Sequence, residues 1–317
     1  CWRSPVCMRV WRWRMGAESD YRALSAIDYA EQELLYNTFM APALRSAVAA
    51  LSPLPGSRGL DVGCGPGGVL PLLAEALDGR GTIVALDISR PHLERAQDDI
   101  AAWNGGARCY LAQVDLKDPL PFADGVFDWC WTADTLNSEQ ANVERGAFPD
   151  PVSVVRELAR VTRPGGVVAA FFGNWLGAML MPGYAHIEQC LMTALEVHYN
   201  KRGRFHPSFR HENALGWFQA AGLEDITVTA HTALYQAPLP DDVRRYIQRW
   251  VFEHEYRAPE RIKEYALGAG LTEEEWDLWL KLSTPGAPEY ILQRDDYFCV
   301  RYGILTTGRV PAGEVTA

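Results

Sequence analysis

An α/β fold, with a mostly parallel sheet covered by helices on both faces, is what the 317-residue sequence predicts. Three observations carry this expectation. Short apolar runs alternate with helical stretches of about three turns between residues 58 and 172, and parallel strands need such crossovers. The first run ends in the cluster Gly63-Cys64-Gly65-Pro66-Gly67-Gly68, where a strand turns sharply into a helix rich in leucine and alanine. Hydrophobic residues make up 48% of the chain and aromatics 11%, enough to bury a sizeable core.

The elements follow in order. Residues 1–16 carry Arg3, Arg9, Arg12 and Arg14 and no acid, and the arginines interrupt any apolar segment of a targeting signal. We expect a disordered extension or cloning-derived residues there, with the native fold starting near Met15. Residues 17–56 read as two helices, because Leu24, Ile27, Leu34, Leu35, Phe39, Leu44 and Val48 recur at helical spacing and Pro42 interrupts them. Strands are expected at 58–62, 82–87, 107–112, 126–132 and 167–172, with helices at about 68–77, 91–103 and 151–161 between them. A helix at 209–221 leads to an alternating strand at 225–231, and 297–307 reads as a last strand.

Between those last strands, stretches 241–255, 259–267 and 272–282 have helical spacing. They carry Tyr246, Trp250, Phe252, Tyr256, Trp276 and Trp279, more apolar area than a solvated linker leaves in water. The domain organisation expected is therefore a core at 57–233 and 295–310, interrupted by an insertion at about 174–206 and by a helical cap at 234–294.

Composition narrows the functions. A net charge of -10 opposes a nucleic-acid partner, since phosphate binding needs a concentrated basic surface. The seven cysteines are scattered and include no C-x-x-C pair, which suits reduced thiols in a cytoplasmic protein. No metal-ligand spacing appears among His, Cys and acidic residues, so no metal is expected. The longest apolar stretch, 167–181, contains Gly173, Asn174 and Gly177 and is too short for a membrane span.

The glycines are the centre of the functional reading. Gly63, Gly65 and Gly68 fit G-x-G-x-x-G, which leaves a nicotinamide dinucleotide open as a ligand. Asp87 closes the second strand about 20 residues after the turn, where a carboxylate accepts both hydroxyls of a ribose in either kind of cofactor. Asp61, two residues before the first glycine, separates them: a carboxylate there suits the ammonium of a methionine tail and repels a pyrophosphate. Its competing reading is a cap of the turn.

These residues resemble the class I S-adenosylmethionine-dependent methyltransferases, in particular the group that includes the ubiquinone and menaquinone biosynthesis methyltransferases. The resemblance extends through Val114-Asp115-Leu116, Leu120-Pro121-Phe122, Phe127-Asp128 and Arg163-Pro164-Gly165-Gly166, covering about residues 57–172. It implies a Rossmann-like seven-stranded, mostly parallel sheet whose last strand is antiparallel. It further implies that S-adenosylmethionine, leaving as S-adenosylhomocysteine, is the cofactor. Gly63, Cys64, Gly65 and Gly67 would form its turn, Asp61 would meet its amino group, Asp87 its ribose, Ile88 and Leu116 the adenine ring, and Asp115 the adenine amino group. Thr132 would line the methionine side, and Tyr29 or Tyr36 of the N-terminal helices would cover the cofactor.

Many relatives carry a histidine after the fourth strand, whereas this chain has Thr132-Ala133-Asp134-Thr135, so no general base transfers from the family. In-line methyl displacement draws much of its rate from proximity, and the thioether leaves without a proton. Asp134, Tyr184, His186, His206 and His211 are the candidate bases, each with a structural role as its competing reading. Trp131, Phe172, Trp175, Tyr184 and Trp250 are expected to line an aromatic acceptor pocket, although such stripes also build cores.

The expected function is therefore methyl transfer to a small-molecule acceptor, through O-, N- or C-methylation. A homodimer stays open. An NAD(P)-dependent oxidoreductase and a non-catalytic, cofactor-binding regulatory protein are the alternatives.

Overall fold

The computed structural model describes residues 26–101, 106–136, 150–201 and 210–312. The first element is one long helix, α1 (Ala26–Leu51), which keeps Pro42 inside it and so replaces the two helices expected from the sequence. Proline has no N–H to give the carbonyl four residues back, which is that of Thr38. The Tyr235 hydroxyl donates to that carbonyl at 3.2 Å, so a tertiary contact supplies the bond that the helix lacks.

From there the chain alternates as its periodicity predicts. It runs through β1 (Arg58–Val62), α2 (Leu70–Ala76), β2 (Thr82–Asp87), α3 (Arg90–Ala101), β3 (Arg108–Gln113), β4 (Phe127–Ala133) and α4 (Pro151–Val161). Asp150 caps α4 by accepting from the Ser153 N–H at 3.1 Å, and Pro151 takes the first turn, where no donor is needed. Next comes β5 (Thr162–Met179), an 18-residue strand far longer than its apolar run suggested. Gly173 and Asn174 continue this strand in register with Gly303 and Tyr302, and the register shifts between Asn174 and Met179, where Gly177 lies. A Cβ on Gly177 would fall 2.1 Å from the Tyr302 ring, so the glycine permits strand pairing beneath an aromatic.

After α5 (Ala185–Lys201), a short 3-10 turn at His211–Asn213 leads into α6 (Ala214–Ala220) and β6 (Glu224–Gln236). The cap follows as α7 (Asp241–Tyr246), a π-helical segment (Ile247–Glu255), α8 (Ile262–Gly268) and α9 (Glu273–Leu282), and β7 (Phe298–Arg309) closes the sheet. The continuous helix expected over 241–255 thus changes to i→i+5 pairing at Ile247, a rare form that often occurs at functional sites.

The seven strands lie in the order β3-β2-β1-β4-β5-β7-β6. β7 runs antiparallel to both β5 and β6, and the pairings among β1 to β5 are parallel. Phe39 and Leu44 of α1 and Leu73 of α2 pack on one face with Ile83, Trp131 and Phe171. Leu158 of α4 and Phe218 of α6 pack on the other with Leu60 and Phe172. The first of these cores continues into the cap through Leu191, Phe252 and Trp279. Strand order reverses between β1 and β4, so a crevice opens at their carboxyl ends, the usual ligand position in such sheets. Among the described residues no helix is long and apolar enough to cross a membrane.

Candidate cofactor and acceptor site

The turn after β1 is held to β2 by its own backbone. Gly63 and Cys64 both donate to the Leu86 carbonyl, at 2.8 and 2.9 Å. Gly63, Gly65 and Gly67 have φ of +76°, +52° and +89°, a left-handed region in which a side chain is strained. A Cβ on Gly63 would lie 2.0 Å from Thr135 Oγ1, and one on Gly65 would lie 2.5 Å from a Glu33 carboxylate oxygen. The turn is therefore enclosed by α1 on one side and by the end of β4 on another. Cys64 is buried there, and desolvation pushes its thiol well above the usual range, so it packs as a neutral group.

Asp87 fixes the turn from β2. One of its oxygens accepts from the Gly65 N–H at 2.9 Å and the other from the Ser89 N–H at 2.7 Å. Each oxygen keeps a further lone pair, so the carboxylate can tie down the loop and still accept a hydroxyl. His92 stands 3.8 Å away, and burial lowers its pKa.

Asp61 is the least hydrated acid at this end of the sheet. It is 2% exposed, and its Oδ2 has no hydrogen-bond partner among the described residues. Burial first, and repulsion from Asp87 second, push its carboxyl up to about 8. A cation placed beside it stabilises the ionised form of such a buried carboxyl.

Ile88 follows β2 with its side chain 60% exposed, while its carbonyl accepts from Gln113 Nε2 at 2.8 Å. Val114 donates to the Asp87 carbonyl at 3.0 Å, which brings Asp115 and Leu116 alongside. Asp115 accepts from the Lys117 N–H at 3.0 Å, and Leu116 packs against the core on the α4 face. The structure thus gathers Asp61, Gly63, Cys64, Gly65, Gly67, Asp87, Ile88, Asp115 and Leu116 around the ends of β1, β2 and β3. Thr132 stands apart from Asp61, because it pairs with Val62 while Asp61 pairs with Trp131, and alternation sends neighbouring side chains to opposite faces. Its buried hydroxyl has no partner among the described residues.

Beside the turn, past Thr135, lies a second polar group. Asp134 has φ of +52° and accepts from the Tyr36 hydroxyl at 2.8 Å and from the Gly173 N–H at 2.8 Å. Burial raises the pKa of both Asp134 and Tyr36. The Arg301 guanidinium lies over the Tyr36 ring, 5.2 Å from its centroid, and donates to the Tyr246 hydroxyl at 3.1 Å and to the Gly173 carbonyl at 3.3 Å. Tyr246 stacks on Phe39 at 5.0 Å, and burial pushes its phenol up to about 12. Tyr36, expected as a cofactor cover, is thereby joined to Asp134 and Arg301.

The other expected residues are spread more widely, although His211 lies near enough to Asp134 and Arg301 to interact with both electrostatically. Trp131 is fully buried and stacks on Phe171 at 6.1 Å, so it is packing on the α1 face. Phe172 points to the opposite face, where it stacks on His211 at 5.1 Å and meets Trp217 edge-on. Burial lowers the His211 pKa, which leaves a neutral ring. His186 ties α5 to α9 through Glu275 at 2.8 Å, a bond between α5 and the cap. Tyr184 opens α5 by donating its N–H to the Met181 carbonyl at 2.9 Å. Trp250 is buried in the π-helical segment against His254. His206, the side chain of Trp175 and that of Tyr29 lie outside the described residues.

Arg301 and Tyr246 were not expected from the sequence as parts of a site. Arg301 had a signal: in Cys299-Val300-Arg301-Tyr302-Gly303 it falls on the inward side of an alternating strand, where an arginine needs a reason.

Residues 60–170 match the family model described as a methyltransferase domain. Over that stretch the chain is similar to a methyltransferase domain. It is 33% identical over 155 residues to a 27-O-demethylrifamycin SV methyltransferase of Amycolatopsis mediterranei, a match covering 49% of this chain and 51% of that protein. It is 36% identical over 118 residues to a demethylmenaquinone methyltransferase of Bacillus cereus, covering 36% of this chain and 44% of that one. The chain therefore spans about half the length of the curated relatives it matches, or less. The YcgJ protein of Bacillus subtilis shares the fold, with a TM-score of 0.51 and 16% identity over 86% of this chain and 99% of that one. The matched stretch covers most of β1, β2 to β4, α4 and the first half of β5, so it contains the glycine turn, Asp61, Asp87 and Asp134. Tyr36, Tyr246 and Arg301 are contributed from outside it.

Proposed function

We propose that this protein transfers the methyl group of S-adenosylmethionine to a small-molecule acceptor. The observation that carries the reading is Asp61, a buried carboxyl with an unpartnered oxygen beside a glycine turn that leaves no room for side chains. An ammonium beside it would restore its charge and fill its missing hydrogen bond, whereas a pyrophosphate would meet it with like charge. The cofactor supplies an electrophilic methyl on a sulfonium.

Asp61 holds the amino group, and the backbone of Gly63, Cys64, Gly65 and Gly67 lets the tail lie close. Asp87 accepts from the ribose hydroxyls with the lone pairs left over from Gly65 and Ser89. Ile88, Asp115 and Leu116 bound the adenine. α1 closes over the turn with Glu33 against Gly65 and Asn37 against Gly68. That cover excludes water and holds the acceptor near the methyl, which is the main source of rate in a displacement that needs no proton on its leaving group.

Asp134 and Tyr36 stand on the acceptor side, and Asp134 is the group suited to take an acceptor proton. The names of the two relatives, a demethylrifamycin and a demethylmenaquinone methyltransferase, support a small molecule as acceptor. Calorimetric titration with S-adenosylhomocysteine and, separately, with NADH tests the reading. Binding of the first and not the second is expected, and the reverse overturns it.

A further inference from the structure

Arg301 is 7% exposed, yet no carboxylate among the described residues forms an ion pair with it. Its Nη atoms donate to neutral acceptors, the Tyr246 hydroxyl and the Gly173 carbonyl, and its Nε has no partner among the described residues. Asp134 and Glu255 act on it from beyond ion-pair distance, and both Asp134 oxygens already accept, from Tyr36 and Gly173. A guanidinium withdrawn from water without an anion beside it is costly, and proteins ordinarily supply that anion. The same α1-face cluster holds three more buried donors without partners among the described residues, Trp131 Nε1, Trp250 Nε1 and Trp279 Nε1, so this cluster has donors in excess. An acceptor-only ligand group balances such a surplus.

The position of Arg301 selects which ligand. β7 is separated from β1 by β4 and β5, three strand spacings or about 14 Å, too far for the tail of a molecule seated on the turn after β1. Its Gly173 contact instead joins it to Asp134, on the acceptor side. We propose that Arg301, framed by Tyr36 and Tyr246, binds a carboxylate of the methyl acceptor and so makes this a methyltransferase for acidic small molecules. The guanidinium fork suits a planar carboxylate, and the two phenols stay neutral beside it. This rests on the methyltransferase reading above, and its test is arranged to fail separately.

The probes are benzoate, the smallest aromatic carboxylate, and benzamide, its neutral isostere. Each is titrated calorimetrically into wild type and into Arg301→Met and Arg301→Lys variants, with and without S-adenosylhomocysteine. Wild type should bind benzoate about tenfold or more tightly than benzamide, the lysine variant should keep part of that preference, and the methionine variant should lose it. The affinity for S-adenosylhomocysteine should change less than about twofold in either variant. Equal binding of the two probes to wild type overturns the proposal, and so does a preference that survives in Arg301→Met. Should that variant fail to fold, the wild-type comparison still decides. A variant that weakens S-adenosylhomocysteine but not 5′-methylthioadenosine, which lacks the carboxylate, would assign Arg301 to the cofactor and overturn the acceptor role. Failure of wild type to bind the nucleoside at all counts against the methyltransferase reading alone, because the benzoate comparison is also run without it.

Discussion

Asp134 and Arg301 hold the two polar groups of a single residue: the carboxylate takes the Gly173 N–H at 2.8 Å, and the guanidinium donates to the Gly173 carbonyl at 3.3 Å. Glycine is required between them, since a Cβ there would sit 1.7 Å from the Tyr36 hydroxyl. Two polar side chains, one just after β4 and one on β7, are thereby fixed across β5, with Tyr36 packed against both. Gly173→Ala should displace Tyr36 and reduce acceptor methylation by at least about tenfold while cofactor affinity changes little. Comparing turnover with the S-adenosylhomocysteine dissociation constant separates the two effects.

Cofactor affinity should depend on pH through Asp61. Its carboxyl is pushed up to about 8, so below that pH it is protonated and must lose its proton before it can hold an ammonium. Affinity for S-adenosylhomocysteine should then rise with pH from 6 to 8, by up to about tenfold per unit, and level off above. Asp61→Asn should bind at least about tenfold more weakly and show no such rise. Calorimetry across the range reads both.

Glu188 of α5 gives stability a different pH signature. This buried carboxyl accepts from the Leu180 and Met181 N–H groups at 2.6 and 3.2 Å, and burial raises it to about 7. Because the folded pKa lies above the unfolded one, the group's contribution to stability is greatest at low pH. That contribution is lost as pH rises from the unfolded value through about 7. The loss is about 3 kcal/mol in all, and Glu188→Gln should flatten it. Denaturant melts at pH 5 and pH 8 provide the check.

Tyr36→Phe removes the hydroxyl that Asp134 accepts from at 2.8 Å, leaving a buried oxygen one partner short. A destabilisation of about 1–3 kcal/mol is expected, with a larger proportional fall in kcat than in cofactor affinity. Equilibrium unfolding and initial rates measure the two.

Gly63→Ala places a methyl at φ +76° and 2.0 Å from Thr135 Oγ1. Strain and collision together should cost more than about 2 kcal/mol of stability and abolish binding of S-adenosylhomocysteine. A folded variant that bound the nucleoside normally would contradict the assigned turn.

Much of this protein was determined by local sequence. The bounds of β1, β2 and α4 follow from apolar runs ended by glycine, aspartate or proline, because those residues act on the backbone within a few positions. The glycine turn with Asp61 and Asp87 was legible for the same reason: its conformation and its chemistry are set by residues adjacent in the chain. What tertiary structure decided lies where distant segments meet. α1 passes through Pro42 because Tyr235, 197 residues from Thr38, supplies the missing donor. β5 outruns its apolar stretch because β7 offers it a partner as far as Met179. Tyr36, Asp134, Tyr246 and Arg301 form one group although they come from α1, the end of β4, α7 and β7. No window of sequence contains two of them, and the energies that join them depend on burial, which exists only after the sheet and its cap have closed.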